Sequence, residues 1–509
     1  MAAHAAHARI ISTVAALALV LLTPIAARAQ EAVGDVQELL GPNIDASALR
    51  EPARTIGLRT NVDAVRRWNQ IAIDASGVDH TPVAAGESRV YGEQLGPGRA
   101  ARAMAIVHIA IFDSVNAIAG GYKSYTGIPR ALRGTSLDAA VAQAAHDTLV
   151  ALFASQAPTF HTLLAEDLDR IRDRTARARG VALGRRAAGA ILARVADDGS
   201  LHPEPRMNVD FFPHQEPGWW RQDPISLAPV ALGAHWGEVR PLVLRSGSQF
   251  RAPEPPAMDT PEYATAFAEV KALGGDGIVT PTVRTPDQTH AGVYWAYDGT
   301  PSLCAPPRLY NQIAVTIADQ RGTGEVELAR LLAILNVAMS DAGIAIWESK
   351  YYYQFWRPVT GIREADEGTG PTGAGDGNDD TLGDLTYSPL GAPASNLTGP
   401  NFTPPFPAYP SGHAGFGGAL FQTLRNYYGT DRIAFTFVSD EFNGETHDNQ
   451  GNVRPLLPRT FSSLSQAEEE NGQSRIYLGI HWSFDKTMGI AQGRRVANYV
   501  FRNAFTRVR

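Results

Sequence analysis

The sequence predicts a mainly α-helical protein. Apolar residues recur at helical spacing over several long stretches, and no alternation of strands with helices suggests a parallel sheet. Neither a repeat of solenoid period nor a sustained heptad is present. The chain has 509 residues, 44% of them hydrophobic and 19% charged, which excludes wholesale disorder and collagen-like repeats. That is enough chain to bury a large core without cross-links. Cys304 is the only cysteine, so an intrachain disulfide, a zinc ribbon, an iron–sulfur cluster and thioredoxin-like chemistry are all excluded.

From the N-terminus, residues 1–29 read as a signal peptide. Arg9 precedes an apolar run of thirteen (residues 10–22), and Ala27-Arg28-Ala29 gives a small-x-small cleavage site before Gln30. Spanning a bilayer takes about 20 residues, so the run is a leader rather than an anchor. The expectation is an exported protein, periplasmic or secreted, with no membrane span after cleavage. Cleavage removes Arg9 and Arg28 and no acidic residue, so the net charge moves from −7 to −9. An acidic exported chain is a poor candidate for nucleic-acid or anionic-membrane binding, and any anionic substrate must meet a local cluster of cations.

Residues 63–76 place Val65, Trp68, Ile71 and Ile73 near helical spacing, and residues 99–119 are apolar all round, as in a buried central helix. The pattern continues over 137–155, 160–197, 325–349, 414–428 and 485–504. Residues 200–262 are rich in Pro, Trp and His without periodicity. Residues 364–384 hold seven acidic residues, six glycines and no Lys or Arg. A calcium loop fails there, because Thr381 stands where the tight turn wants glycine and Tyr387 where a bidentate Glu belongs. A solvated acidic excursion is the reading. These patterns divide the chain into an N-terminal helical region with loop-rich insertions (30–320) and a catalytic region (321–509).

Three clusters in the last third carry chemistry. Lys350 and Arg357 are seven positions apart, about two helical turns, so one helix face can hold both before Pro358 breaks the helix. Taken alone, such cations also serve as partners for the helix dipole. Pro410-Ser411-Gly412-His413 precedes a helical run, so Ser411 can be an N-cap and the helix start an anion site. Ser474-Arg475 is followed by His481 and, four residues on, Asp485, which can fix the imidazole tautomer. A lone histidine in such a setting is usually a satisfied core residue. Together, three cations, a hydroxyl, a glycine N–H and two histidines are what a tetrahedral oxyanion requires.

The pattern Lys-x6-Arg-Pro, Pro-Ser-Gly-His, Ser-Arg-x5-His-x3-Asp resembles the superfamily of vanadium-dependent haloperoxidases and type 2 phosphatidic acid phosphatases, with every motif position intact. More than 300 residues precede Lys350, as in the haloperoxidase branch. Trp347 and Phe406 look like the aromatic halide-pocket residues of the chloroperoxidase type, where bromoperoxidases of algal type carry a histidine at the latter position. The stretch Trp295-Ala-Tyr-Asp298-Gly resembles the one whose aspartate pairs with the motif arginine, here Arg475.

The resemblance implies an all-α fold built on two four-helix bundles, with the site at the end of one. It implies vanadate as cofactor, bonded through His481 as the metal ligand. Lys350, Arg357 and Arg475 would neutralise its oxygens, Ser411 and Gly412 would hydrogen-bond them, and His413 would handle protons. Asp298 and Asp485 would support the site from behind. Hydrogen peroxide would oxidise bromide, and chloride as a second halide, to hypohalous acid, with a small organic acceptor as a further candidate partner and no need for haem or flavin. Two competing readings use the same pocket: an exported acid phosphatase with His481 as a phosphohistidine nucleophile, and a non-catalytic oxyanion binder.

Overall fold

A computed structural model describes residues 39, 41–43, 62–297, 306–391, 402–447 and 452–508. The segment 1–29 expected to be a leader, Asp298 and Cys304 lie outside the described residues. The chain folds into α1 (Ala64–Asp79), α2 (Gly96–Ala119), α3 (Leu137–Leu152), α4 (Ala157–Asp169) and α5 (Arg174–Val195), then α6 (Pro261–Leu273), α7 (Pro286–Tyr294) and α8 (Pro307–Gln320). The last third holds α9 (Glu325–Tyr353), the short α10 (Pro358–Arg363), α11 (Gly412–Tyr428), α12 (Leu464–Tyr477) and α13 (Ser483–Asn503). Among the described residues the one sheet is an antiparallel pair, β1 (Phe435–Phe437) with β2 (Arg459–Phe461), in register Phe435↔Phe461.

The helices form two four-helix bundles, one of α1, α2, α3 and α5, the other of α9, α11, α12 and α13. The packing of α2 against α9 joins them, and one apolar core runs through both. Helices α2 and α9 are each long and apolar enough to cross a membrane by length and composition, yet 94% of each apolar stretch is buried inside the protein. They are hydrophobic all round because protein surrounds them.

Local chemistry explains the boundaries. Asp63, Ser136 and Asp173 accept N–H bonds from the first turns of α1, α3 and α5. The expected helix over 160–197 is two helices, since Asp173 restarts the chain after the turn that follows α4. Helices α6, α7, α8 and α10, absent from the periodicity reading, each begin with Pro at the first position. Proline there loses no helical hydrogen bond. Pro358 therefore opens a helix rather than breaking one.

The irregular segment 200–262 is anchored on α9 by Asp341. Its carboxylate is fully buried and accepts the N–H groups of Leu242, Val243 and Leu244 at 2.7, 2.8 and 2.8 Å. Burial pushes this acid up to about 6, against the pull of those three bonds.

Helices α11 and α13 approach closely because glycines line the contact. A Cβ on Gly493 would stand 2.0 Å from the carbonyl oxygen of Gly415. Gly493→Ala should therefore push the helices apart at a cost of about 1–3 kcal/mol. The check is the urea midpoint, and an unchanged midpoint would contradict this account of the interface.

Candidate active site

The three motifs meet at one end of the second bundle. Lys350 lies in the last turn of α9, but Arg357 does not share its helix face as the spacing suggested. The helix ends at Tyr353, Gln354 turns left-handed at φ 47°, and Arg357 arrives in extended conformation as the N-cap of α10. The two cations converge because the chain turns, not because a helix continues.

Backbone carbonyls of the stretch before Pro410 and of the third motif hold them. Lys350 Nζ donates to the oxygens of Pro407 and Ala408 at 2.8 and 2.9 Å. Arg357 donates through Nε to Phe406 O at 2.9 Å and through Nη1 to Ile480 O at 2.8 Å. Arg357 Nη1 also lies 3.0 Å from His481 Nε2. Lys350, Arg357, Arg475, His413 and His481 are all buried.

His481 precedes α13, and Asp485 stands in the first turn of that helix. Their 2.8 Å contact from Nδ1 to Oδ2 is thus a helix-start arrangement rather than two residues on one helical face. Asp485 also accepts the Trp482 N–H at 3.0 Å, which fixes the carboxylate. Burial, then the charges of Arg357, Lys350, Arg475 and His413, hold the His481 imidazole well below its ordinary value. A neutral ring with Nδ1–H given to Asp485 leaves the Nε2 lone pair directed at the cations. Burial and the neighbouring Arg357 likewise depress Lys350 well below the usual ammonium range. Asp485 is pushed up to about 7, chiefly by burial.

Ser411 caps α11, its hydroxyl accepting the Ala414 N–H at 3.4 Å. Gly412 and His413 are the first two helical residues, whose N–H groups have no acceptor within the helix. A Cβ on Gly412 would come within 3.3 Å of the Trp347 ring, a tight contact that glycine avoids. Nε2 of His413 is 2.9 Å from the carbonyl oxygens of both Trp295 and Ala296. Carbonyls only accept, so Nε2 carries a proton and donates toward both.

Trp347 and Phe406 pack against each other, ring centroids 4.9 Å apart. Lys350 Nζ lies 5.7 and 5.2 Å from the two rings, and the Arg357 guanidinium carbon 5.0 Å from that of Phe406. Trp347 is fixed by its Nε1–H donating to Leu232 O at 3.1 Å.

Several supporting residues carried no sequence signal. Tyr310 OH and Asn471 Nδ2 each donate to His413 O at 3.0 Å, pinning the start of α11 from α8 and α12. The segment expected to supply Asp298 does reach the site, through the Trp295 and Ala296 carbonyls.

Among the described residues, the cluster gathers Lys350, Arg357 and Arg475 around His481, with Asp485 as the carboxylate beside it. Buried like charges are costly unless compensated. A tetrahedral oxyanion supplies that compensation, so this donor set fits vanadate.

Comparison with known proteins agrees. Residues 330–509 match the family model described as the VCPO second helical-bundle domain. The chain is 31% identical to the vanadium chloroperoxidase of Curvularia inaequalis, over 84% of this chain and 79% of that protein. Among solved structures, a bacterial vanadium-dependent iodoperoxidase superposes with a TM-score of 0.67 at 22% identity, covering 86% of this chain and 96% of the other. An apo-type bacterial vanadium-dependent chloroperoxidase gives 0.59 at 16% identity, covering 80% and 94%. With that identity sustained over most of both chains, the protein belongs to the vanadium-dependent haloperoxidase family.

Proposed function

We propose that this protein uses vanadate and hydrogen peroxide to oxidise bromide readily and chloride more slowly, giving hypohalous acid. The observation that carries the reading is the buried cation cluster around His481 Nε2, packed against the Trp347–Phe406 pair. When bound, vanadate supplies a Lewis-acidic centre that activates peroxide without changing its own oxidation state. His481 would hold it through Nε2. One lone pair cannot serve both Arg357 and vanadium, so with vanadate held Arg357 would turn its hydrogen bond to an oxyanion oxygen. Lys350 and Arg475 would neutralise further oxygens, while the Ser411 hydroxyl and Gly412 N–H would donate to them. His413 takes and returns a proton at Nδ1, Nε2 being committed to the two carbonyls. Trp347 and Phe406 form the dry wall beside Lys350 where halide would approach, and low local dielectric strengthens the pull of that cation. The leader at residues 1–29 supports export, with vanadate taken up outside the cytoplasm.

The test is purified protein with hydrogen peroxide and bromide, with and without vanadate, beside a phosphatase assay. Bromide oxidation that depends on vanadate is expected. Hydrolysis of phosphate esters without any halide oxidation would favour the phosphatase reading instead.

Phosphate should compete during loading, since charge alone does not distinguish the two near-isosteric anions. Apoprotein preincubated in phosphate should gain activity more slowly than in a non-coordinating buffer. Equal rates would put vanadate somewhere other than this cluster.

Halide range should depend on Phe406. Phe406→His would bring water and a titrating group against Lys350, and chloride, the harder halide to oxidise, should suffer more than bromide. The measurement is the chloride-to-bromide turnover ratio at mildly acidic pH, and an unchanged ratio would leave Phe406 as packing.

A further inference from the structure

The carbonyls that accept from His413 Nε2 belong to the turn that ends α7, and their direction depends on its backbone torsions. That turn is unusual. Tyr297 sits at φ 47°, the left-handed region, which costs a non-glycine residue about 1–2 kcal/mol. Such conformations persist only where the surroundings over-determine them.

Here the surroundings are the short helical turn Asp440–Phe442. Glu441 accepts the Tyr297 N–H at 3.0 Å through Oε1. Ser439 donates to Tyr294 O at 2.7 Å, and the Asp440 N–H donates to the Tyr297 hydroxyl at 2.7 Å. Glu441 is 0% exposed, and Arg454, itself 5% exposed, donates to its Oε2 at 2.8 Å. A buried ion pair adds little net stability compared with apolar residues of the same size. What this pair does provide is a fixed acceptor for one strained N–H beside the site.

We propose that Glu441, held by Arg454, is a positioning residue for His413. By fixing Tyr297 it aims the Trp295 and Ala296 carbonyls at Nε2 and so keeps the proton there, which makes Nδ1 the nitrogen that takes part in proton transfer. The inference rests on the reading of His413 as the proton-handling group.

The test compares E441M/R454M, which fills the space with apolar side chains, with E441Q/R454M, which restores only the acceptor for Tyr297. Nitrogen-15 NMR of the His413 ring in vanadate-free protein should show the single Nε2–H tautomer in wild type and E441Q/R454M, and a mixture in E441M/R454M. After vanadate loading, bromide turnover should fall about tenfold in E441M/R454M and recover in E441Q/R454M, with vanadate affinity changed by less than about twofold. A single tautomer in E441M/R454M would overturn the proposal. Mixed tautomers with unchanged turnover would support the role of Glu441 and refute that of His413. In wild-type protein, which avoids any folding defect, the Tyr297 amide should exchange with solvent as slowly as the core helices. Exchange at loop rates would also overturn the proposal.

Discussion

His481→Ala should abolish vanadate-dependent bromide oxidation while leaving the helices in place. Every other group proposed around the cofactor would interact with it through charge or hydrogen bonds, and His481 Nε2 alone would form a covalent bond. Removing the ring also releases the Nδ1 bond to Asp485 and leaves that buried carboxyl with the Trp482 N–H. The Arg357 contact to Nε2 is lost as well, and each buried hydrogen bond lost costs about 1–3 kcal/mol, which a core of this size tolerates. The measurement is bromide turnover after incubation with excess vanadate, beside the far-ultraviolet circular dichroism. Wild-type turnover in the variant would remove His481 from the site.

His413→Ala should separate proton handling from cofactor binding. Lys350, Arg357, Arg475, Ser411, Gly412 and His481 all remain, so vanadate affinity should change little. Turnover should fall by about 10²–10⁴, the range for a positioned acid–base group. Equilibrium vanadate binding and bromide turnover, measured on the same preparation, decide the matter. A loss of affinity as large as the loss of turnover would make His413 a residue that only shapes the pocket.

Much of this was legible in the sequence because the chemistry concentrates in three short motifs. Lys350, Arg357, the Ser411–His413 run, Arg475, His481 and Asp485 could be named from type and spacing, and they do converge. Helices α2 and α9 were legible because apolar surface on every side leaves only a buried helix as a reading. Helix α12 was not, because its buried face includes Glu468, Asn471, Ser474 and Arg475, so no apolar stripe marks it. Helix α10 was hidden by reading Pro358 as a stop. The geometry joining Lys350 to Arg357 depends on one left-handed residue, Gln354, and no spacing rule anticipates that turn. Tyr310 and Asn471 reach His413, and Glu441 reaches Tyr297, from distant segments, so only tertiary packing brings them in.

The account's central claim is that the buried cations around His481 form a single vanadate site that confers the activity. The most direct measurement is a titration of metal-free protein with vanadate in phosphate-free buffer, following bromide oxidation and bound vanadium together. The expected result is that activity and bound vanadium rise in step to one equivalent per chain and then level off, with neither seen in His481→Ala. Activity without bound vanadium, or tight binding that survives loss of His481, would contradict it.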